Sequence, residues 1–235
     1  GAYPGGRLRS FYVDQDFALR GVALGWGAFS TCRFRINGVE YRDSVRALFD
    51  AAHERLRPER LADAGGVTAH GDAHNANVWF AEHGLCLFDP AFAGAHIPTL
   101  LAELKATFHN ILAHPLWLYD PAEAAARFSV SAAYRDGVLD VTTSWDLTPV
   151  RRGILGVKAA AFWRPMLADL AARNMLPHDW RGVIRLALFL CPTLVMNLRA
   201  GAGSHNPASS LIGFSVAVMA GGEPGAGEGV GTGFS

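Results

Sequence analysis

The sequence carries no excess of charge of either sign: 21 Lys and Arg stand against 21 Asp and Glu. A broadly basic nucleic-acid binder is thereby excluded, because no surplus of cations exists to neutralise phosphates; only a local basic cleft stays open. Cysteine is scarce. Cys32, Cys86 and Cys191 are far apart and odd in number, and no CxxC pair occurs. They read as reduced thiols of a cytoplasmic protein, not as a disulfide framework or a metal cluster. The stretch Gly1-Ala2-Tyr3-Pro4-Gly5-Gly6 lacks the charged-then-apolar pattern of a signal peptide. Long hydrophobic runs are missing too. The longest, Val183 to Leu198, is interrupted by Arg185 and Pro192 and falls short of a membrane span. It predicts a buried helix, and no internal repeat is present.

What is there is a core. Half of the 235 residues are hydrophobic and 18% are charged, which suits one sizeable globular domain with smaller appendages and not a disordered chain. Phe34 to Tyr41 places Asn37-Gly38 between short alternations and predicts a hairpin with a type I′ turn. Residues 1–30 read as loop or short helix. Helical spacing of Val45, Leu48, Phe49, Ala52 and Leu56 predicts a helix over 43–56, stopped by Pro58. Two short strands follow, Val78–Ala81 and Leu85–Phe88, joined at His83-Gly84. A helix is predicted over Ile97–Ala113. Asp136-Gly137 lies between two alternating runs and is the strongest hairpin signal in the chain. Long helices are predicted over Val150–Asn174 and Asp179–Arg199, and a short one over Ser209–Ala220. Gly dominates the tail, Gly221 to Ser235, which predicts flexibility. The fold expected is mainly α with small β-hairpins, an α+β chain with three parts: an N-terminal segment 1–42, a domain 43–220 and a tail 221–235.

The chemistry concentrates in His70-Gly71-Asp72-Ala73-His74-Asn75-Ala76-Asn77, followed by an apolar strand, a turn, a second strand and then Asp89. A carboxylate at a strand end is expensive to bury without a partner. Two carboxylates and an Asn on a short hairpin therefore ask for a cation or a substrate hydroxyl. Phosphoryl transfer needs that set: a carboxylate to orient the attacking hydroxyl, and hard oxygen ligands for magnesium. Asp72 fits the first role, and Asn77 with Asp89 fits the second.

His70-Gly71-Asp72-x-x-x-x-Asn77, strand, turn and Leu87-Phe88-Asp89 resembles the catalytic and metal-binding loops of aminoglycoside phosphotransferases. The same pattern occurs in choline, fructosamine, homoserine and methylthioribose kinases, and it corresponds to loops of protein kinases. The resemblance covers roughly Asp43 to Arg199, with the Asp136-Gly137 hairpin as an insertion. It implies the C-terminal, large lobe of a protein-kinase-like fold, ATP and magnesium as cofactors, and a small-molecule hydroxyl as acceptor. By the same resemblance Asp72 is the catalytic base, and Asn77 and Asp89 are magnesium ligands beside the nucleotide. His70 packs beneath the loop and fixes its shape, and it counts with Asn77 and Asp89 among the cofactor-binding residues that the resemblance implies. Acidic residues of such clefts often meet amino groups of the substrate, and Glu103, Asp120, Asp140 and Asp146 are the candidates here.

Two departures stand out. No strand, Gly-rich loop and Lys of a nucleotide-binding lobe precede the site, and the first lysine is Lys105, past the metal loop. The chain therefore reads as a fragment of a longer enzyme that lacks its nucleotide-binding lobe. The segment Ala95 to Leu101 also lacks the Asp that braces the catalytic loop in many relatives. Bland roles remain beside the sharp ones. Asp72, Asn77 and Asp89 suit capping and turns, His74 suits either a solvated loop or a contact to substrate or phosphate, Asn75 suits a turn, and His109 and His114 suit structure. Trp117, Trp145, Trp163 and Trp180 suit a core more than a base-stacking platform, since no Arg or Lys interleaves them. Rivals to the kinase are a non-catalytic kinase-like binding domain and a metallohydrolase using His70, Asp72, His74 and Asp89.

Overall fold

Local sequence rules place most of the helices in the computed structural model, which describes residues 3–113 and 116–225. In chain order the elements are α1 (Gly6–Phe11), β1 (Asp16–Leu19), β2 (Val22–Gly25), α2 (Trp26–Thr31), β3 (Arg33–Ile36), β4 (Val39–Glu40), α3 (Val45–Arg55), α4 (Pro58–Leu61) and β5 (Gly66–Ala69). There follow β6 (Val78–Ala81), β7 (Gly84–Leu87), β8 (Gly94–Pro98), α5 (Leu104–Thr107), α6 (Pro121–Arg127), β9 (Val130–Arg135) and β10 (Val138–Thr143). The last four are α7 (Pro149–Lys158), α8 (Arg164–Ala172), α9 (Trp180–Val195) and α10 (Pro207–Gly221). Three helices begin with a polar cap followed by proline: Asp120-Pro121, Thr148-Pro149 and Asn206-Pro207, each cap side chain accepting a backbone N–H of the first turn. Proline costs nothing there, because the first-turn N–H has no helical partner. The result is a mixed α+β architecture with small sheets.

The chain divides into two compact units. One comprises Gly1–Ala51, Pro115–Asp146 and Phe189–Ser235; the other comprises Ala52–His114 and Leu147–Leu188. In the first unit four strands form a sheet in the order β4-β3-β10-β9, in which β10 runs antiparallel to β9 and parallel to β3. Its core is aromatic. Phe17 stacks on Phe29 at 4.0 Å, and Phe214 of α10 meets Tyr12, Phe17 and Phe29 edge-on. The Tyr12 hydroxyl donates to the Thr193 carbonyl at 2.6 Å and accepts from the Leu198 N–H at 3.2 Å, and burial raises its pKa.

In the second unit Leu61, Ala64, Leu100, Leu170 and Val183 form the core, with Met166, Leu167 and Trp180 packed around them. Arg55 forms an ion pair with Asp179 that joins α3 to the start of α9. Two antiparallel pairs complete this unit, β5 with β8 and β6 with β7.

Both predicted turns are present. Asn37 and Gly38, and again Asp136 and Gly137, have positive φ, and each pair joins antiparallel strands. The segment predicted as loop or short helix contains two short helices, α1 and α2, and between them the β1–β2 hairpin, which was not anticipated. Its Arg20-Gly21 turn has no Asn-Gly or Asp-Gly signature, and Gly21 lies against Ala132 of β9, where an added Cβ would come within 2.5 Å of the carbonyl oxygen. The helix predicted over 97–113 starts later, because Gly94–Pro98 pairs with β5, and it ends in a π-helical stretch, Phe108–Ala113. A second π stretch, Ala159–Trp163, divides the predicted helix 150–174 into α7 and α8. Of the tail, Gly221 closes α10 and Pro224 bridges to Tyr41; residues 226–235, like His114, lie outside the described residues. No helix among the described residues is long and apolar enough to cross a membrane.

His205 marks where pH acts on the first unit. It is buried, its Nδ1 lies 3.1 Å from Ser209 Oγ, and burial lowers its pKa from 6.5 to about 4. The folded protein therefore holds it neutral, whereas the unfolded chain takes up a proton below 6.5. Its contribution to stability is complete above pH 6.5 and is lost as the pH falls toward 4, with a slope of at most about 1.4 kcal/mol per pH unit. Urea unfolding between pH 4 and 7 should show a shallower pH slope for His205→Leu than for wild type. Equal slopes would mean that the imidazole is accessible to protons in the folded state.

Candidate active site

The polar loop leaves β5 at Ala69 and turns at Gly71, whose φ is +74°. A Cβ at Gly71 would lie 2.6 Å from the Phe92 carbonyl oxygen, so only glycine lets the loop pass that close. Asp72 follows and is 6% exposed. Its backbone carbonyl accepts the His74 N–H at 2.8 Å and the Asn77 Nδ2 at 3.0 Å. The amide of Asn77 is thus oriented with its nitrogen inward and its Oδ1 left as an acceptor. His74 Nδ1 accepts the Ala76 N–H and caps the 3₁₀ turn Asn75–Asn77. The Asn75 N–H donates at 2.8 Å to Asn110 Oδ1, which moors the loop to the π stretch 108–113.

His70 ties this loop to the second strand. Its Nδ1 accepts the Asp72 N–H at 3.3 Å, and its Nε2 lies 2.6 Å from the Phe88 carbonyl. A carbonyl only accepts, so Nε2 carries the proton. The Phe88 N–H in turn donates to the Asn77 carbonyl at 2.9 Å, one step beyond the Val78↔Leu87 pair. Asn77 and Asp89 therefore leave β6 and β7 at the same end of the hairpin. Asp89 has φ +50° and ψ +67°, a left-handed conformation that is uncommon for a residue with a Cβ. Its side chain is exposed and does not cap the following turn, Pro90–Phe92.

The Asp72 carboxylate is asymmetric. Oδ2 accepts from Lys105 Nζ of α5 at 2.5 Å, and that ammonium also lies 4.4 Å from the centre of the Phe92 ring. Oδ1 is buried without a hydrogen-bond partner, and His74 Nε2 stands 3.7 Å away. An orphaned buried acceptor costs about 1–3 kcal/mol, which a ligand proton would recover. His109 borders the group, its ring 5.4 Å from that of His74. Burial, and then the neighbouring His74 and Lys105, lower its pKa to about 4, so it is neutral at physiological pH. Two residues before Lys105, Glu103 is paired with Lys158 at 2.7 Å.

The structure thus links His70, Asp72 and Asn77 by hydrogen bonds and sets Asp89 at the adjoining strand end. The other acidic candidates have separate engagements. Asp140 pairs with Arg35, Asp120 caps α6, and Glu103 holds Lys158. Among the tryptophans, Trp117 and Trp145 are buried and Trp163 and Trp180 are half-buried. Sequence reasoning missed Lys105 and Asn110 as neighbours of the loop. Neither lies in a motif; the one available signal was that Lys105 is the first lysine. The β6–β7 hairpin is also barer than its apolar composition predicts. Phe80 is 81% exposed and shares a face with Leu85 and Leu87, while Trp79 lies on the opposite face.

No protein-family model, no curated protein and no solved structure matches this chain. The functional reading therefore comes from the arrangement of these side chains.

Gly71 offers a direct check of the loop geometry. Gly71→Ala should lower stability by about 1–3 kcal/mol more than Gly38→Ala, which shares a positive φ but has open space around its Cβ position. Denaturant unfolding measures both, and equal losses would mean that Phe92 does not crowd the loop.

Proposed function

We propose that the chain carries the catalytic and metal-binding loops of a small-molecule kinase that transfers the terminal phosphoryl group of ATP to a substrate hydroxyl. The observation that carries this reading is the Asp72 carboxylate, with one oxygen fixed by a cation and the other buried without a hydrogen bond. That is how a general base is held for one incoming O–H. The resemblance of His70-Gly71-Asp72-x-x-x-x-Asn77 and Leu87-Phe88-Asp89 to aminoglycoside-phosphotransferase loops points the same way. On this reading the second unit is part of the large lobe of a kinase-like fold, and the reduced thiols suit the cytoplasm.

Each residue then has a role. Asp72 Oδ1 accepts the proton of the substrate hydroxyl as that oxygen bonds to the terminal phosphorus, and the bond from phosphorus to the bridging oxygen of ADP breaks. His70 keeps the Asp72 N–H and the Phe88 carbonyl in fixed relation, so the base and the strand end before Asp89 move together. Asn77 Oδ1 and the Asp89 carboxylate are the hard oxygen donors for magnesium. They suit it: one amide is already oriented by the Asp72 carbonyl, and one exposed carboxylate stands on a left-handed backbone without capping the turn that follows. Magnesium, when bound, neutralises charge on the nucleotide phosphates.

The metallohydrolase reading is disfavoured by His70, whose two nitrogens are both engaged with backbone groups. Among the described residues no group of three or more His, Cys, Asp or Glu is arranged to hold a metal. A non-catalytic binding domain differs from the kinase only in turnover.

The test is Asp72→Asn, assayed as magnesium-dependent ATP turnover by the full-length protein against a panel of hydroxyl-bearing small molecules. Turnover should fall by about 10²–10⁴-fold, with the fold retained by circular dichroism. Near-normal turnover in the variant would remove Asp72 as the base, and no turnover in the wild type would favour the binding domain.

A further inference from the structure

Lysine is nearly absent from this chain. Only Lys105 and Lys158 occur, against nineteen arginines, and both lie in the second unit in ion pairs with carboxylates. Arginine would serve a purely structural pair at least as well, because its planar fork matches a carboxylate and it is more weakly hydrated. The choice of lysine next to Asp72 calls for a small cation with donors to share. An ammonium has three N–H groups. Asp72 Oδ2 takes one of those on Lys105, the Phe92 ring covers one side at 4.4 Å, and the side chain remains 30% exposed. Donors are left for a ligand.

We propose that Lys105 contacts the phosphoryl group undergoing transfer, so that one ammonium bridges the base and the phosphate. This rests on the kinase reading and names the cation that the reading leaves unassigned. The geometry follows from the shared carboxylate. A hydroxyl bound at Oδ1 is next to Nζ bound at Oδ2, and a phosphorus about 3–3.5 Å from that hydroxyl oxygen brings its equatorial oxygens to Nζ. Negative charge spreads over those oxygens in the transition state, and a fixed ammonium stabilises it without giving up its proton. Two supports hold Lys105 there. Glu103 anchors the start of α5 to Lys158, and α5, which carries Lys105, runs directly into the π-helical stretch Phe108–Ala113. Such local departures from α geometry are frequent at functional sites.

The experiment compares two nucleotides that differ in the terminal phosphoryl. Dissociation constants for the magnesium complexes of ADP and of the non-hydrolysable β,γ-imido analogue of ATP are measured by calorimetry on the full-length protein. Lys105→Met should weaken the ATP analogue by about tenfold or more, the worth of one charge-assisted hydrogen bond, and ADP by less than about threefold. Lys105→Arg should recover part of the difference. Lys105→Met strands the Asp72 charge and can unfold the loop, so the same comparison is made between Asp72→Asn and Asp72→Asn/Lys105→Met, where no carboxylate is stranded. An unchanged preference between the two nucleotides in both backgrounds would make Lys105 a structural counterion and overturn the proposal. A wild-type protein that binds neither nucleotide would overturn the kinase reading itself, and this proposal with it.

Discussion

Everything at the site follows from the need to keep one carboxylate inside the protein. Asp72 is almost fully buried, and a charge in that position is tolerated only with a close counter-charge and hydrogen bonds around it. Lys105 supplies the charge. The backbone of the loop supplies the rest of the order, since the Asp72 carbonyl gathers the His74 N–H and the Asn77 amide while its N–H is held by His70. Breaking such a pair by removing one partner typically costs about 3–5 kcal/mol, more than most single contacts contribute. The shape of the loop and the charge state of its carboxylate are thus one constraint, and Gly71 is the residue that lets the chain turn tightly enough to satisfy it.

Three departures from ordinary foldability lie between Asp72 and Asp89. Asp89 sits in the left-handed region, Asp72 Oδ1 lacks a hydrogen bond, and Phe80, Leu85 and Leu87 are exposed on one face of a two-stranded hairpin. The first unit combines stacked aromatics and a parallel strand pair in a four-stranded sheet with its own buried polar atoms that lack a hydrogen bond, Trp145 Nε1 and Ser210 Oγ among them. Proteins often break local rules where function requires it, and on the proposed reading these three belong to the site.

Much of this was legible in the sequence because it is encoded locally. Asn37-Gly38 and Asp136-Gly137 fix their turns through backbone preference alone, and the helical spacing of apolar residues places α7 and α10, whereas the short helix α6 was not anticipated. His70, singled out by the motif, hydrogen-bonds the Asp72 N–H and the Phe88 carbonyl. What was not legible is long-range. The parallel pairing of Arg33–Ile36 with Val138–Val141 leaves no local trace, and neither does the pairing of Gly66–Ala69 with Gly94–Pro98 that removes the first turn of the predicted helix. The hairpin Asp16–Gly25 was missed because its Arg20-Gly21 turn lacks the usual signature. Lys105 looked like an ordinary helix residue, since nothing in its neighbours announces a carboxylate 33 positions earlier in the chain.

The central claim is that Asn77 and Asp89 present oxygen donors to one divalent ion beside Asp72. Electron paramagnetic resonance of manganese, titrated into the full-length protein with an ATP analogue, reads that ion directly. The account predicts one tightly held manganese per chain in the wild type, weakened about tenfold or more by Asp89→Ala and left unchanged by Asp140→Ala. Equal manganese affinity in wild type and Asp89→Ala would contradict it.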